Sequence, residues 1–331
     1  MKVLITRKIP QSGIRVLQSH KDIELDYRQG APLSDAELKE AISDVDVLVP
    51  VIPDKITKEV IEAGKNLKLI ATYSVGYDHI DIETATAKGI YVSNTPGDLT
   101  EAVAEHSLAM MMALGRRIVE ADRFCRGKQY KYWDPMIFVG PKFMGKTLGL
   151  IGFGRIGQFF ARFARNGLGM NIIYSDVSQK IEAENLLDAK RVDLDTLLNE
   201  SDVISIHCNL CEETKHMIDY EELKKMKPNA LIINTARGPI IDERALVTGL
   251  KEGLIAGVAL DVFEEEPKIH PDLMKMDNVV LTPHIGSATW EARIQMSNMV
   301  AENVIDVLVD NKPPRYIVNK ELIKDSVKSI A

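Results

Sequence analysis

Four groups of residues in this chain have types and spacings that could do chemistry. The first is Gly152-Phe153-Gly154-Arg155-Ile156-Gly157, preceded by an apolar run at 148–151 and followed, roughly 20 residues on, by Asp176. Gly152 allows a tight turn, Gly154 a close backbone approach to a pyrophosphate, and Gly157 close packing of helix on strand. The helix-like segment that follows, 158–167, would offer unpaired N–H groups and partial positive charge to phosphates. A second apolar run, 170–174, leads to Asp176, which would accept hydrogen bonds from the adenosine ribose hydroxyls and repel a 2′-phosphate. The pattern predicts a dinucleotide site that takes NAD rather than NADP.

The second group is Asn234-Thr235-Ala236-Arg237-Gly238, where an arginine stands at the end of an apolar run. Its guanidinium is a permanently charged planar fork suited to a carboxylate. The third is Glu264-Glu265-Glu266-Pro267, which by residue pattern alone also reads as a solvated loop. The fourth is Thr282-Pro283-His284-Ile285-Gly286-Ser287. The imidazole of His284 can exchange a proton near neutral pH, and a carboxylate on its other ring nitrogen would set the tautomer and stabilise the imidazolium. Together these groups predict reduction of a 2-keto acid, with hydride from the cofactor and both the proton and the charge clamp from the protein.

These groups need strands to end beside them. In the first hundred residues, short apolar runs at 3–5, 23–27, 45–51, 67–73 and 90–92 read as strands, alternating with helical segments. One helix, 34–42, opens with the capping-box pattern Ser34-Asp35-Ala36-Glu37. The alternation resumes at 147–151, 171–174, 203–206, 230–234, 255–259 and 279–281. Long helix-like stretches at 100–127 and 288–309 separate and close the two series. The expected fold is α/β, with two doubly wound parallel-sheet domains and the last segment returning to the first domain. Ligands in such folds bind beyond the carboxyl ends of the strands, so the cleft between the domains is the expected site.

Bulk properties narrow the function classes. A chain of 331 residues favours two domains over one core. A net charge of −7 speaks against nucleic acid and anionic membrane surfaces as partners. No apolar run is long enough to span a membrane, and Lys2-Val3-Leu4-Ile5 opens as a strand, so neither a signal peptide nor a span is expected. Cys125, Cys208 and Cys211 are the three cysteines. Cys208-Asn209-Leu210-Cys211 has the spacing of a redox pair or half a zinc site, with His207 and His216 nearby. No second cysteine pair completes it, so no metal is expected and the sparse cysteines suit a reducing cytoplasm.

Several further segments carry a family resemblance: Ser74-Val75-Gly76-Tyr77-Asp78, Asn94-Thr95-Pro96, Asp261-Val262-Phe263 with Glu266-Pro267, and His284 through Thr289. With the glycine motif and Thr235-Ala236-Arg237-Gly238, they occur in an order that resembles the D-isomer-specific 2-hydroxyacid dehydrogenases over essentially the whole chain. Within that family the chain is most similar to the glyoxylate/hydroxypyruvate reductase and 2-ketogluconate reductase branch.

The resemblance implies a Rossmann NAD-binding domain, 100–286, inserted into a discontinuous flavodoxin-like substrate domain, 1–99 and 287–331. It implies that Arg237, Glu266 and His284 are the catalytic set, which selects Glu266 from the three glutamates. Val75 and Gly76 match a loop whose amides hold the substrate carboxylate, Ile52 a pocket-lining position, and Ser287 a substrate-contacting serine. Around the cofactor it implies Thr100, Gly152, Gly154, Arg155, Ile156, Gly157, Asp176, Thr235, Asp261 and His284, with Asp261 at the nicotinamide carboxamide. It also implies a homodimer in which the loop holding Trp133 reaches toward the partner.

One segment departs from the pattern: a proline that usually follows the strand is replaced within Cys208-Asn209-Leu210-Cys211. Rival readings are a short-type D-3-phosphoglycerate dehydrogenase and, from a different class, an NAD-sensing corepressor-like binding protein. The second would be expected to carry a long disordered tail.

Overall fold

The computed structural model describes residues 1–97 and 99–323. The chain divides into two compact units, one formed by Met1–Leu99 with the segment from Ala288 onward, the other by Thr100–Ser287. Ser287, expected to open the returning segment, thus closes the second unit. Part of that segment, 324–331, lies outside the described residues, as does Asp98.

The first unit is built on β1 (Lys2–Ile5), β2 (Glu24–Tyr27), β3 (Val47–Val49), β4 (Leu69–Ala71) and β5 (Tyr91–Ser93), all parallel in the order β2-β1-β3-β4-β5. This is the flavodoxin-like winding. The central strands read as continuous apolar runs because helices cover both faces of a parallel sheet, and β3 and β4 are buried at every position. Leu4, Leu48, Ile70 and Val92 pack there against Leu38, Ile42, Val60 and Ile61. The helix Asp35–Ala41 forms the capping box expected of Ser34 and Glu37.

The returning helix Trp290–Leu308 belongs to this unit and packs on Gln11–Gln18. Their contact is close enough that a Cβ on Gly13 would lie 2.0 Å from the Ser297 carbonyl oxygen. The expected strands 45–51 and 67–73 are shorter in the structure. Their outer residues turn away into the loops that carry Ile52 and Val75.

The second unit holds β6 (Thr147–Ile151), β7 (Asn171–Ser175), β8 (Ala189–Arg191), β9 (Val203–Ile206), β10 (Leu231–Asn234), β11 (Gly257–Leu260) and β12 (Val279–Leu281). They form a parallel sheet in the order β12-β11-β10-β9-β6-β7-β8. The winding reverses between β6 and β9, the Rossmann switch point. Alternate residues face opposite sides. Leu148, Leu150, Tyr174 and Ile233 enter one core, while Ile151, Ile173, Ile204 and Ile232 enter the other.

Two expectations fail here. The stretch 100–127 is two helices, Leu99–Gly115 and Ile118–Arg126, broken at Arg117, whose φ is 54°. The break accommodates a neighbouring segment: a Cβ on Gly115 would lie 2.2 Å from the Phe143 ring, and one on Gly140 would lie 2.0 Å from the Gly115 carbonyl oxygen. Helical periodicity cannot register such an approach. The edge strand β8 was not foreseen, because only Ala189 of its three residues is buried and no apolar alternation marks it.

Candidate active site

The cofactor motif forms the junction between β6 and the helix Arg155–Leu168. Gly152 has φ 88°, and a Cβ there would meet the Cys208 backbone nitrogen at 2.5 Å, so only glycine fits. A Cβ on Gly157 would lie 2.6 Å from the Gly152 carbonyl oxygen, which fixes how tightly helix and strand pack. Nothing lies within 4 Å of the corresponding point on Gly154, the N-cap of the helix. An open cradle at a helix N-terminus that begins with Arg155 and Ile156 fits the pyrophosphate of a dinucleotide.

Asp176 follows β7 and closes this junction: its Oδ2 accepts from the Phe153 N–H at 2.7 Å and its Oδ1 from the Ser178 N–H at 2.9 Å. Burial pushes its pKa up, but the Ser178 and Phe153 amides and the Lys180 charge outweigh that and hold it below the usual carboxylate range. The carboxylate is therefore ionised beside the cradle.

Arg237, Asp261 and His284 stand just beyond the carboxyl ends of β10, β11 and β12, three neighbours in the sheet. Asp261 organises this edge and is 1% exposed. Its backbone carbonyl accepts from the His284 N–H at 2.8 Å. Its Oδ1 accepts from the Thr282 hydroxyl at 2.6 Å and the Ile285 N–H at 2.8 Å, and its Oδ2 from the Gly286 N–H at 2.8 Å. His106 Nε2, from the helix Leu99–Gly115, approaches Oδ1 at 3.3 Å. Burial raises the Asp261 pKa, but hydrogen bonds from His106, Thr282 and Ile285 reverse the shift and keep the carboxyl low.

This clamp holds His284 at φ 54°, a left-handed conformation that costs a non-glycine residue roughly 1–2 kcal/mol. The imidazole is thereby turned so that Nδ1 lies 2.8 Å from Glu266 Oε2. Glu266 Oε1 accepts from the Phe263 N–H at 3.1 Å, so the carboxylate is itself held. A Cβ on Gly238 would lie 1.9 Å from the Phe263 carbonyl carbon, so glycine lets the Arg237 turn press against the turn that carries Glu266. Arg237 Nη1 donates to the Ala236 carbonyl at 2.7 Å. Thr235 is bridged to Ser107 at 2.9 Å, and Thr100 is buried in the first turn of the helix Leu99–Gly115. Ser287 is half-buried next to the clamped Gly286.

In the first unit, Val75 and Gly76 form a half-buried loop after β4. Among the described residues neither of their amides donates a hydrogen bond. Ile52 follows β3 in a loop pinned by Asp54, whose Oδ2 accepts from the Val51 N–H at 3.0 Å.

Residues 108–286 match the model of the D-isomer-specific 2-hydroxyacid dehydrogenase NAD-binding domain. The chain belongs to that family. It is 51% identical to the glyoxylate reductase of Thermococcus litoralis over 98% of both chains. It is 49% identical to the glyoxylate reductase of Thermofilum pendens, over 98% of this chain and 96% of that one. Among solved structures, a glyoxylate reductase from Paecilomyes thermophila superposes with a TM-score of 0.85 at 32% identity, covering 97% of this chain and 99% of that one. The cofactor of this family domain is NAD, and the open cradle at Gly154 suits it.

His106, Ser107 and Thr282 join the site only in the structure. His106 and Ser107 sit in a helical stretch of mixed polar and apolar residues, and Thr282 sits two residues before His284, so residue type alone does not single them out. In the segment that departs from the family pattern, burial pushes the Cys208 thiol up to about 12, so it is protonated and unreactive at neutral pH. Burial likewise pushes His207 down to about 3. Among the described residues, no cluster of three or more His, Cys, Asp or Glu could hold a metal.

Proposed function

We propose that this protein reduces a small 2-keto acid, of the glyoxylate, hydroxypyruvate or 2-ketogluconate type, to the D-2-hydroxy acid at the expense of NADH. The observation that carries this reading is the His284–Glu266 pair, 2.8 Å apart at the carboxyl edge of an NAD-binding sheet.

Bound NADH supplies the hydride to the keto carbon. In the first unit, the Val75 and Gly76 amides seat the substrate carboxylate and Ile52 lines the pocket. In the second, Arg237 binds the carboxylate and faces the keto oxygen, and Ser287 contacts the substrate. As negative charge grows on that oxygen, the Arg237 guanidinium stabilises it and His284 delivers the proton from Nε2. Glu266, on Nδ1, holds the ring's tautomer and the imidazolium charge. Gly152, Gly154, Arg155, Ile156 and Gly157 cradle the pyrophosphate. Thr100 and Thr235 contact the cofactor, and Asp261 reaches its nicotinamide carboxamide.

Asp176 takes the ribose hydroxyls and disfavours a 2′-phosphate, which makes NADH the preferred donor. Replacing Asp176 with Ala and Val177 with Arg should shift preference toward NADPH. A wild-type enzyme faster with NADPH would show that Lys180 or another cation overrides the acid.

The finer assignments follow the same logic. Tyr132, Trp133 and Met136 are each at least 75% exposed, an apolar segment suited to burial in a homodimer. Sedimentation should show two chains, and Trp133→Asp should weaken their association. Three free cysteines suit the cytoplasm. Among the described residues no helix is long and apolar enough to cross a membrane.

The deciding experiment is a panel of glyoxylate, hydroxypyruvate, 2-ketogluconate, pyruvate and phosphohydroxypyruvate with NADH and NADPH, with the product's configuration determined. D-hydroxy acid is expected. An L product, or preference for phosphohydroxypyruvate, overturns the reading.

A further inference from the structure

The Val75–Gly76 loop is held from behind by three donors. Asn94 Nδ2 donates to the Val75 carbonyl at 2.8 Å, the Ser74 hydroxyl to the Gly76 carbonyl at 2.6 Å, and the Thr95 N–H to the Ser74 carbonyl at 2.9 Å. These peptides are trans, so each N–H points opposite to the carbonyl of the same unit. Pinning the carbonyls of Ser74, Val75 and Gly76 therefore aims the amides of Val75, Gly76 and Tyr77 away from the pinning groups. Of the three donors, Asn94 acts on the peptide unit whose N–H belongs to Gly76.

Asn94 is itself fixed by the returning segment. Its N–H donates to the Tyr316 carbonyl at 3.2 Å, and its own carbonyl accepts from Asn303 Nδ2 at 3.4 Å. Asn303 Oδ1 in turn accepts from the Tyr316 N–H at 3.2 Å, and Asn303 is 1% exposed within the helix Trp290–Leu308. The side-chain amide at position 94 is thus backed by a buried framework that does not depend on its presence.

We infer that Asn94 is a positioning residue for the substrate carboxylate. Its amide orients the Val75–Gly76 peptide and polarises it, because a donor on a carbonyl strengthens the N–H of the same peptide as a donor. The inference rests on the reading of the Val75 and Gly76 amides as the carboxylate seat. That contact is made in ground state and transition state alike, so losing its support should raise KM and spare kcat.

The test compares Asn94→Ala and Asn94→Asp with the wild type in glyoxylate reduction, in inhibition by oxamate and in NADH binding. For N94A, KM for glyoxylate and the inhibition constant of oxamate should rise together by about 3- to 10-fold, the worth of one hydrogen bond. Turnover and NADH affinity should stay within about twofold, which also shows that the variant is folded.

N94D places an acceptor against the Val75 carbonyl and a charge behind the anion seat. Its KM should exceed that of N94A at neutral pH. As pH falls and the carboxyl at position 94 protonates, it regains a donor, and its KM should approach the wild-type value measured at the same pH. An N94A enzyme with unchanged KM and oxamate inhibition overturns the inference while leaving the keto-acid reading intact. So does a fall in kcat and NADH affinity without a rise in KM. A wild type that neither reduces any 2-keto acid nor binds oxamate overturns both.

Discussion

Two histidine–glutamate pairs stand in the second unit, and their glutamates are two residues apart in one run. His284 Nδ1 meets Glu266 at 2.8 Å, and His216 Nε2 meets Glu264 at 2.7 Å. Both histidines have left-handed backbone, with φ 54° and 52°. What surrounds them differs. Glu264 is woven into the start of the helix Glu243–Glu252: its Oε2 accepts from the Glu243 N–H at 3.2 Å, and its own N–H donates to Glu243 Oε1 at 2.7 Å. His216 donates its backbone N–H to the Pro239 carbonyl at 2.8 Å, so that pair braces one loop against another. Apart from His284, Glu266 accepts from its own turn through the Phe263 N–H, and His284 sits on the Asp261 clamp at the end of β12. Glu265 between them faces an exposed Lys268 at 3.7 Å. An imidazole–carboxylate pair is thus not a function in itself, and its role depends on what each partner must also hold.

The largest expected effect separates the histidines. His284→Asn should lower turnover by about 10²–10⁴-fold, the usual worth of general acid catalysis, while His216→Asn should keep most of it. Steady-state NADH oxidation measures both, and equal losses would erase the distinction. The glutamates come next. Glu266→Gln should cut kcat by about tenfold or more with NADH binding retained, whereas Glu264→Gln should stay within a few-fold. Exchange of these two outcomes would mean that the wrong pair has been assigned to the chemistry. A smaller effect concerns the brace: losing one hydrogen bond there should cost about 1 kcal/mol and lower Tm in E264Q by roughly 2–4 °C. An unchanged melting curve would deny Glu264 that role.

The smallest effect is in the pH dependence of stability, where neighbours of the two pairs have opposite signs. Burial, then the charge of Glu264, raises the Glu243 pKa above its ordinary 4.5 despite the Glu264 N–H. Its contribution is fully present below that value and is lost as pH rises through the raised folded pKa. Asp261, depressed below 3.8, contributes stability above that value and loses it as pH falls through the folded pKa. Glu243→Gln should therefore be more stable than the wild type near neutral pH, with the gap closing on acidification. Asp261→Asn should be less stable, and its gap should close only in stronger acid. Melting temperatures across pH decide this, and parallel curves for E243Q and the wild type would refute the sign.

Much of the fold was legible because parallel strands buried on both faces are short continuous apolar runs. Thr147–Ile151, Val203–Ile206 and Val279–Leu281 have the bounds expected of them. β8 was not legible, since an edge strand of three residues with two exposed has no apolar pattern. Nor was the break at Arg117, which is imposed by Phe143 and Gly140 packing across the helix end. At the candidate site, the glycine motif could be read because each glycine answers a local demand, a turn or a close approach. Glu266 could not be chosen from its neighbours by residue type, and only the family resemblance singled it out. The Asn94-Thr95-Pro96 segment does not by itself show what Asn94 does, because its role lies in the Val75 carbonyl it reaches.

By itself, the sequence determined what depends on neighbours along the chain: the alternation of strand and helix, the cofactor turn, the capped helices and the candidate side chains at strand ends. Tertiary structure alone decided the pairings across distance. His284 finds Glu266 across 18 positions, His216 finds Glu264 across 48, and Asn303 supports Asn94 across 209. The physical reason is that periodicity and turn chemistry are properties of short segments. A hydrogen bond between side chains needs both partners placed to within a few tenths of an ångström, and here that placement comes from the packing of whole sheets and the returning helix.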